Sequence, residues 1–311
     1  MKTKSGKNIS KIGIGSYGIG GRGHRDMKIT EKDEDEIYIE ALVHTLKKGI
    51  NFTEISLGYG QGQALTLFKK AFDKSEIARE DLFITNSLYP RDLPSIDVIK
   101  EDIDNFYKIM DTAYADSTLV DQSLLTLYGE EEIYKILQNL LTTGKTKYVS
   151  MSNSNSEGIR RYKKEFGDKF VAHEGHLSFE IREVQDAGIF ELCKELGIEN
   201  IIWRPLRRGL TFQHSWPLLV ELSKKYQKTQ DQIILNWICN LGYHPMVMSK
   251  NKGHIDENFS STDFEMSKND YKRMTDWRPQ NYHPPKIDWE KDGQGAVIVD
   301  LAKDFEKHSR S

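Results

Sequence analysis

A glutamate and a tyrosine five residues apart raise the first chemical question in this chain. They lie in GINFTEISLGYG, residues 49–60, where Glu54 stands at the exit of a short apolar run and Tyr59 sits between two glycines. A carboxylate and a phenol so placed form an acid/base pair, one taking the proton that the other gives up. Taken alone, they equally describe a solvated acid beside a loop tyrosine. Ile50, Phe52 and Ile55 fit a buried strand, and the glycines at 58, 60 and 62 then predict a tight turn presenting Tyr59. Comparable polar residues close the later apolar runs: Asn86, Asp121, Ser152 with Asn153, His173 with Glu174, Arg204 and Ser249. The two histidines of HEGH, 173–176, invite a metal reading, but strand alternation turns them to opposite faces, so no metal site is expected.

Those apolar runs are the elements that must position the candidates. Strands are read at 11–15, 50–55, 81–86, 116–121, 147–153, 169–174, 199–204 and 244–249. Between them, apolar residues recur at helical spacing near 37–46, 63–73, 95–110, 130–143, 156–166, 186–197, 217–226, 230–241, 253–260 and 267–276. Ser267 with Asp270 offers a capping box for the last of these helices. This alternation predicts a parallel sheet with helices outside it. One (β/α)8 barrel over 1–276 accounts for eight strands better than its competitor, a pair of doubly wound domains. After Trp277 the rhythm breaks. Residues 277–296 hold three of the eight prolines, which excludes regular helix. The 277–311 extension is expected to be a loop over one end of the barrel followed by a tail helix at 297–307. In such a barrel the C-terminal strand ends share one mouth, and seven polar ends converging there predict a polar pocket.

The 311 residues carry 44 basic and 47 acidic side chains and a net charge of −3. Charges so balanced leave no footprint for nucleic acid or an anionic membrane. A small soluble molecule is the expected partner. No apolar run reaches the roughly 18 residues of a membrane span, and the start MKTKSGKNIS lacks the apolar centre of a signal peptide, so cytoplasm is the expected compartment. Cys193 and Cys239 lie in apolar helical patterns and read as buried, reduced thiols.

Over residues 10–276 the chain resembles the aldo-keto reductase superfamily. KIGIGSYGIGG is similar to that family's opening strand and turn, GINFTEISLGYGQG to its Gly-Ile-Asn-x-x-Asp-Thr-Ala-x-x-Tyr-Gly segment, and TGKTKYVSMSN to its Gly-Lys-x-Arg-Tyr-x-Gly-x-Ser-Asn strand. PLRRGL, which contains Leu206, resembles its Pro-Leu-x-x-Gly-Leu loop, and SKNKGHIDEN its late cofactor-binding segment. The resemblance implies a (β/α)8 fold, NADP or NAD as cofactor, and reduction of a small carbonyl or polyhydroxy compound. In the family a tyrosine is general acid, its pKa lowered by a lysine that an aspartate supports, while a histidine orients the substrate. Carried over, the tyrosine is Tyr59. Glu54 stands at the aspartate, Asn86 at the lysine and Asp121 at the histidine. An ammonium beside a phenol favours phenolate, whereas an amide and two carboxylates do not, so Tyr59 is expected to be hard to ionise.

The same resemblance implies that Ser152 and Asn153 hold the nicotinamide carboxamide, with Glu174 in place of a glutamine and Trp203 stacking on the ring. Ser249 and Asn258 fit the late segment. Met248 and His254 replace a lysine and an arginine that many members place on the 2′-phosphate of NADP, and Lys250 and Lys252 are the substitutes at hand. Arg204, Arg207 and Arg208 beside the seventh strand's exit describe either a clamp for an anion or solvated charges. Two other functions compete with the oxidoreductase reading: a binding or regulatory protein on the same barrel, and a lyase or dehydratase in which Glu54 and Asp121 raise one another's pKa.

Overall fold

The structure, a computed structural model, describes residues 7–21, 34–89 and 95–279. From residue 280 onward the expected extension lies outside the described residues. In chain order the first half comprises β1 (Gly13–Gly15), α1 (Asp35–Lys47), β2 (Phe52–Ile55), α2 (Gln63–Ser75), β3 (Phe83–Leu88), α3 (Ile96–Met110), β4 (Ala115–Asp121), α4 (Gln122–Tyr128) and α5 (Glu130–Thr142). The second half comprises β5 (Thr146–Ser152), α6 (Ser156–Phe166), β6 (Phe170–His176), α7 (Glu183–Asp186), α8 (Ile189–Glu195), β7 (Glu199–Trp203), α9 (Pro217–Tyr226), α10 (Gln230–Asn240), β8 (His244–Val247), α11 (Lys252–Phe259) and α12 (Lys268–Asp276). Each strand pairs in parallel with the next, and β1 pairs with β8, so the sheet is a closed barrel rather than a doubly wound one. Among the described residues no helix is long and apolar enough to cross a membrane.

Several helices start where a side chain accepts one of the first free N–H groups. Ser95, Asn155, Asn251 and Ser267 cap α3, α6, α11 and α12 in this way. The expected box at Ser267 is half formed. Its hydroxyl accepts from the Asp270 N–H, but the Ser267 N–H goes to the Tyr226 hydroxyl, because the Asp270 carboxylate is bound to Lys225 and Tyr226. A full capping box instead opens α10, between Thr229 and Gln232. Helix α4 has no counterpart in the expected pattern. Its seven residues, QSLLTLY, are too few to display a helical period, and its N-cap is the strand-end residue Asp121.

Most of the core lies between sheet and helices. The inside of the barrel is closed at one end by Ile9, Phe52, Ile201 and Met246. Gly13 makes room for that plug, since a Cβ there would lie 2.3 Å from the Phe52 ring. Above the plug the interior turns polar: Ser117 and Ser150 share a hydrogen bond of 2.6 Å, and Thr85, Glu54 and Glu174 line the same small cavity. Burying polar groups this way is costly unless each finds a partner, and among the described residues Glu54 Oε1 and Glu174 Oε2 find none.

Candidate active site

The C-terminal strand ends open into a cleft of about 920 Å³, at the upper end of the size range of small-molecule sites. Glu54, Tyr59, Asp121, Asn153, Glu174, Trp203, Arg204, Leu206, Ser249, Lys250, His254 and Asn258 line it. The closure of the barrel thus gathers twelve residues that lie up to 204 positions apart in sequence, from 54 to 258. Ser152 is fully buried beneath the wall.

Asn86 is not among them, and its expected place in the site needs correcting. Strand β3 runs through Leu88, two residues beyond the predicted end. Thr85 lines the barrel interior and Ser87 lies on the same side, near enough to Glu54 to lower its pKa. Side chains alternate along a strand, so Asn86 points to the helix side, in register with Ile55, and its Nδ2 is buried without a partner. The β3 residues that reach the site are Ser87 and, just past the strand, Tyr89. Neither stood out in the sequence, because a strand end misplaced by two residues leaves the wrong member of an alternating pair as its last polar residue.

Tyr59 begins a 3-10 turn, Tyr59–Gly62, that meets the β1 turn closely. A Cβ on Gly60, whose φ is 58°, would lie 2.5 Å from the Ile19 carbonyl oxygen. The Tyr59 ring packs edge-on against Tyr17 at 5.3 Å between centroids and obliquely against Tyr89 at 5.8 Å. Tyr89 and Glu54 are the groups whose fields act on its hydroxyl. Burial, then the negative field of Glu54, holds the Tyr59 phenol well above its ordinary pKa of 10.0. Tyr89 is raised for the same two reasons. Burial also pushes Glu54 up to about 7, against the opposing influence of the Ser87 and Tyr59 hydroxyls. Glu174 is raised by burial and then by Glu54 and Asp121. At neutral pH the phenols are donors and the two glutamates hold protons readily.

Asp121 plays a different part. Its Oδ1 accepts from the Ser123 N–H at 3.0 Å and from the Ser123 hydroxyl. Its Oδ2 accepts from the Ser152 hydroxyl at 2.9 Å and the Asn153 amide at 2.8 Å. Both oxygens are therefore occupied, and the carboxyl whose field acts on Glu174 alongside Asp121 is that of Glu54. The same bonds take up the Ser152 and Asn153 donors, which ties this pair to Asp121. Asn153 is held with φ at 53°, a conformation that non-glycine residues seldom adopt.

On the far wall Trp203 stacks on His176, with centroids 4.4 Å apart and planes 10° from parallel. The remaining surface of Trp203 lines the cleft. The burial of His176, together with the Arg204 and Arg207 charges, holds its pKa well below 6.5. His173 turns away to accept the Ser154 N–H at 3.3 Å, and burial lowers it to about 3. Among the described residues no cluster of three or more His, Cys, Asp or Glu is placed to hold a metal ion. Cys193 and Cys239 are free, and burial pushes each thiol up to about 12.

The three arginines after β7 separate. Arg204, Arg207 and Arg208 all have φ near 50°, and this left-handed turn sends neighbours in different directions. Arg207 pairs with Glu180 at 2.9 Å. Arg204 and Arg208 line the cleft, with Arg208 4.3 Å from the centre of the Tyr17 ring. Lys250 is bonded to Glu34, and Lys252 pairs with Glu40 at 3.1 Å. His254 opens α11, where Asn251 accepts its backbone N–H.

A nicotinamide nucleotide fits these surroundings. Glu174 Oε2 is buried and without a partner among the described residues, and an acceptor so placed beside Trp203 suits the N–H₂ of a carboxamide. The cationic Arg204 and Arg208 and the first turn of α11 favour phosphate groups.

A sequence model described as the aldo/keto reductase family matches residues 11–278. The NADPH-dependent alpha-keto amide reductase of Saccharomyces cerevisiae is 26% identical over 302 residues, covering 92% of this chain and 93% of its own. A thermostable aldo-keto reductase, Tm1743, solved with the inhibitor epalrestat, superposes with a TM-score of 0.74 at 25% identity, over 88% of this chain and 97% of that one. An aldo-keto reductase from Klebsiella pneumoniae in complex with NADPH superposes with a TM-score of 0.76 over 93% and 98%; at 15% identity that likeness concerns the fold alone.

Proposed function

The chain belongs to the aldo/keto reductase family, and from that premise we propose that it reduces a small carbonyl compound with NADPH or NADH. The observation that carries the reading is the facing pair of walls in one cleft, Tyr59 on Glu54 at one side and Trp203 with Glu174 at the other. When bound, the cofactor supplies a hydride. Trp203 offers the face for its ring, Glu174 an acceptor for its amide, and Arg208 and the start of α11 the positive field for its phosphates. Tyr59 then donates a hydrogen bond, and finally its proton, to the carbonyl oxygen as negative charge develops there. Glu54, which acts on Tyr59 and is easily protonated, is the group that restores the proton. The name of the yeast relative, an NADPH-dependent reductase, supports the cofactor and the substrate class.

The test joins binding to turnover. Tryptophan fluorescence is expected to be quenched on adding NADPH, and a panel of small aldehydes and ketones to oxidise it. Tyr59→Phe should lower that rate by about two to four orders of magnitude while leaving NADPH binding in place. A second reading, a barrel that binds the nucleotide without redox chemistry, is favoured by the high pKa of Tyr59. Binding with no oxidation of NADPH by any carbonyl in the panel would select it.

A further inference from the structure

Glu54 and Glu174 belong to β2 and β6, on opposite sides of the barrel, and both line the cleft and the interior cavity of about 40 Å³ beneath it. They are 5% and 3% exposed. One oxygen of each, Glu54 Oε1 and Glu174 Oε2, has no hydrogen-bond partner among the described residues. The groups that act on them are hydroxyls and other acids: Ser87 and Tyr59 on Glu54, Glu54 and Asp121 on Glu174. Two carboxylates sharing one dry space cannot both remain charged without a cation to accompany them. They titrate as a unit.

Resting on the cofactor reading above, we propose that Glu54 and Glu174 form one proton-sharing pair that gives up a proton when the oxidised, positively charged nicotinamide ring is seated beside Trp203, and keeps it when the reduced, neutral ring is there. A positive charge next to a carboxyl favours its ionised form, and the ring is the single place where the two redox forms of the cofactor differ in charge. In the binding step one carboxyl O–H bond breaks and the proton passes to the buffer. Nothing is oxidised or reduced.

Seven further titratable groups face the pair around the barrel, the nearest along β6 being His176, which stacks on Trp203 and is held well below 6.5 by burial and the Arg204 and Arg207 charges. Tyr59 and Tyr89 are held well above 10. Asp121 has both oxygens occupied by donors. Tyr148 of β5 and Glu199 of β7 line the interior cavity, Glu199 standing 3.8 Å from His244. Arg204 stays charged, although burial and Arg208 lower it to about 10. Burial pushes Glu54 up to about 7 and Glu174 well above its ordinary range, so this pair is poised to change state near neutrality.

Calorimetric titration with NADP⁺ and with NADPH, each in two buffers of different ionisation enthalpy, reads the proton count directly. Between about pH 6 and pH 8, NADP⁺ binding should release up to one proton more than NADPH binding, and the ratio of the two affinities should move toward NADP⁺ by up to about tenfold per pH unit. The phosphates are common to both ligands, so their titration cancels in the comparison. Glu174→Gln should abolish the difference in proton count between the two ligands, whatever it does to the affinity for either; if that variant fails to fold, the two-ligand comparison on the native protein still decides. Equal proton counts and a pH-independent affinity ratio would overturn the proposal while leaving the cofactor reading intact. Failure of both cofactors to bind would remove the two together.

Discussion

Replacing Asp121 by asparagine turns one of its two acceptor oxygens into a donor, and the structure shows what must rearrange around it. Four donors converge on the carboxylate. The hydroxyls of Ser123 and Ser152 can rotate to accept instead, and the Asn153 amide can turn over to present its oxygen. The Ser123 backbone N–H cannot, so the new N–H₂ group must face Ser152 and Asn153. The loss is the charge on the shared acceptor, about 1.5–3 kcal/mol. A central value of about 2 kcal/mol corresponds to a fall in Tm of about 4–8 °C at this chain length. Thermal unfolding followed by circular dichroism at neutral pH measures it. Asn153 lines the cleft in a left-handed conformation that its bond to Asp121 holds, so Asp121→Asn should also weaken NADPH binding. A Tm within about 1 °C of the native protein, with NADPH affinity unchanged, would refute the four-donor account and restore Asp121 as a candidate for proton chemistry.

Glu54 is an acid whose folded-state pKa lies above its ordinary 4.5, at about 7, so folding favours its protonated form. The stability it contributes is full below about 4.5, falls by about 3 kcal/mol as pH rises to about 7, and is flat above. Glu54→Gln should therefore gain stability relative to the native protein across that window in denaturant titrations, and a difference independent of pH would contradict the burial account. Gly60→Ala places a Cβ 2.5 Å from the Ile19 carbonyl oxygen at a positive φ, and a loss of about 2–4 kcal/mol is expected from strain and clash together. Gly49→Ala, also at positive φ but with nothing within 4 Å, should lose only about 1–2 kcal/mol, and equal melting points for the two variants would show that the close approach is absent. Arg207→Ala leaves Glu180 buried without its cation and should lower stability by about 3 kcal/mol with little effect on NADPH affinity, whereas Arg208→Ala should weaken NADPH binding and leave the melting point in place.

Much of the architecture was legible in residue order. Eight apolar runs at strand length, separated by helical periods, predicted the eight strands that close the barrel, and the polar residues ending them predicted the mouth. Tyr59 and Trp203 were legible there as well, as were Glu174 and the late segment around Ser249 and Asn258, because they stand at the ends of such runs or inside a family motif. Helix α4 was not, being too short to show a period. Nor was the exchange of Asn86 for Ser87, since alternation makes the inward residue depend on a strand boundary that composition marks only to within two positions.

Local pattern, then, was enough to determine the fold and the chemical types at the mouth, because amphipathic period and turn residues act over a few neighbours. The tertiary structure alone decided that Glu54 shares the interior cavity with Glu174, that Asp121 is a hub for Ser123, Ser152 and Asn153, and that Arg207 leaves the cleft to Arg204 and Arg208. The physical reason is the same in each case. A carboxyl's pKa and an arginine's partner depend on which groups share its low-dielectric space, and that is set by barrel closure and backbone handedness.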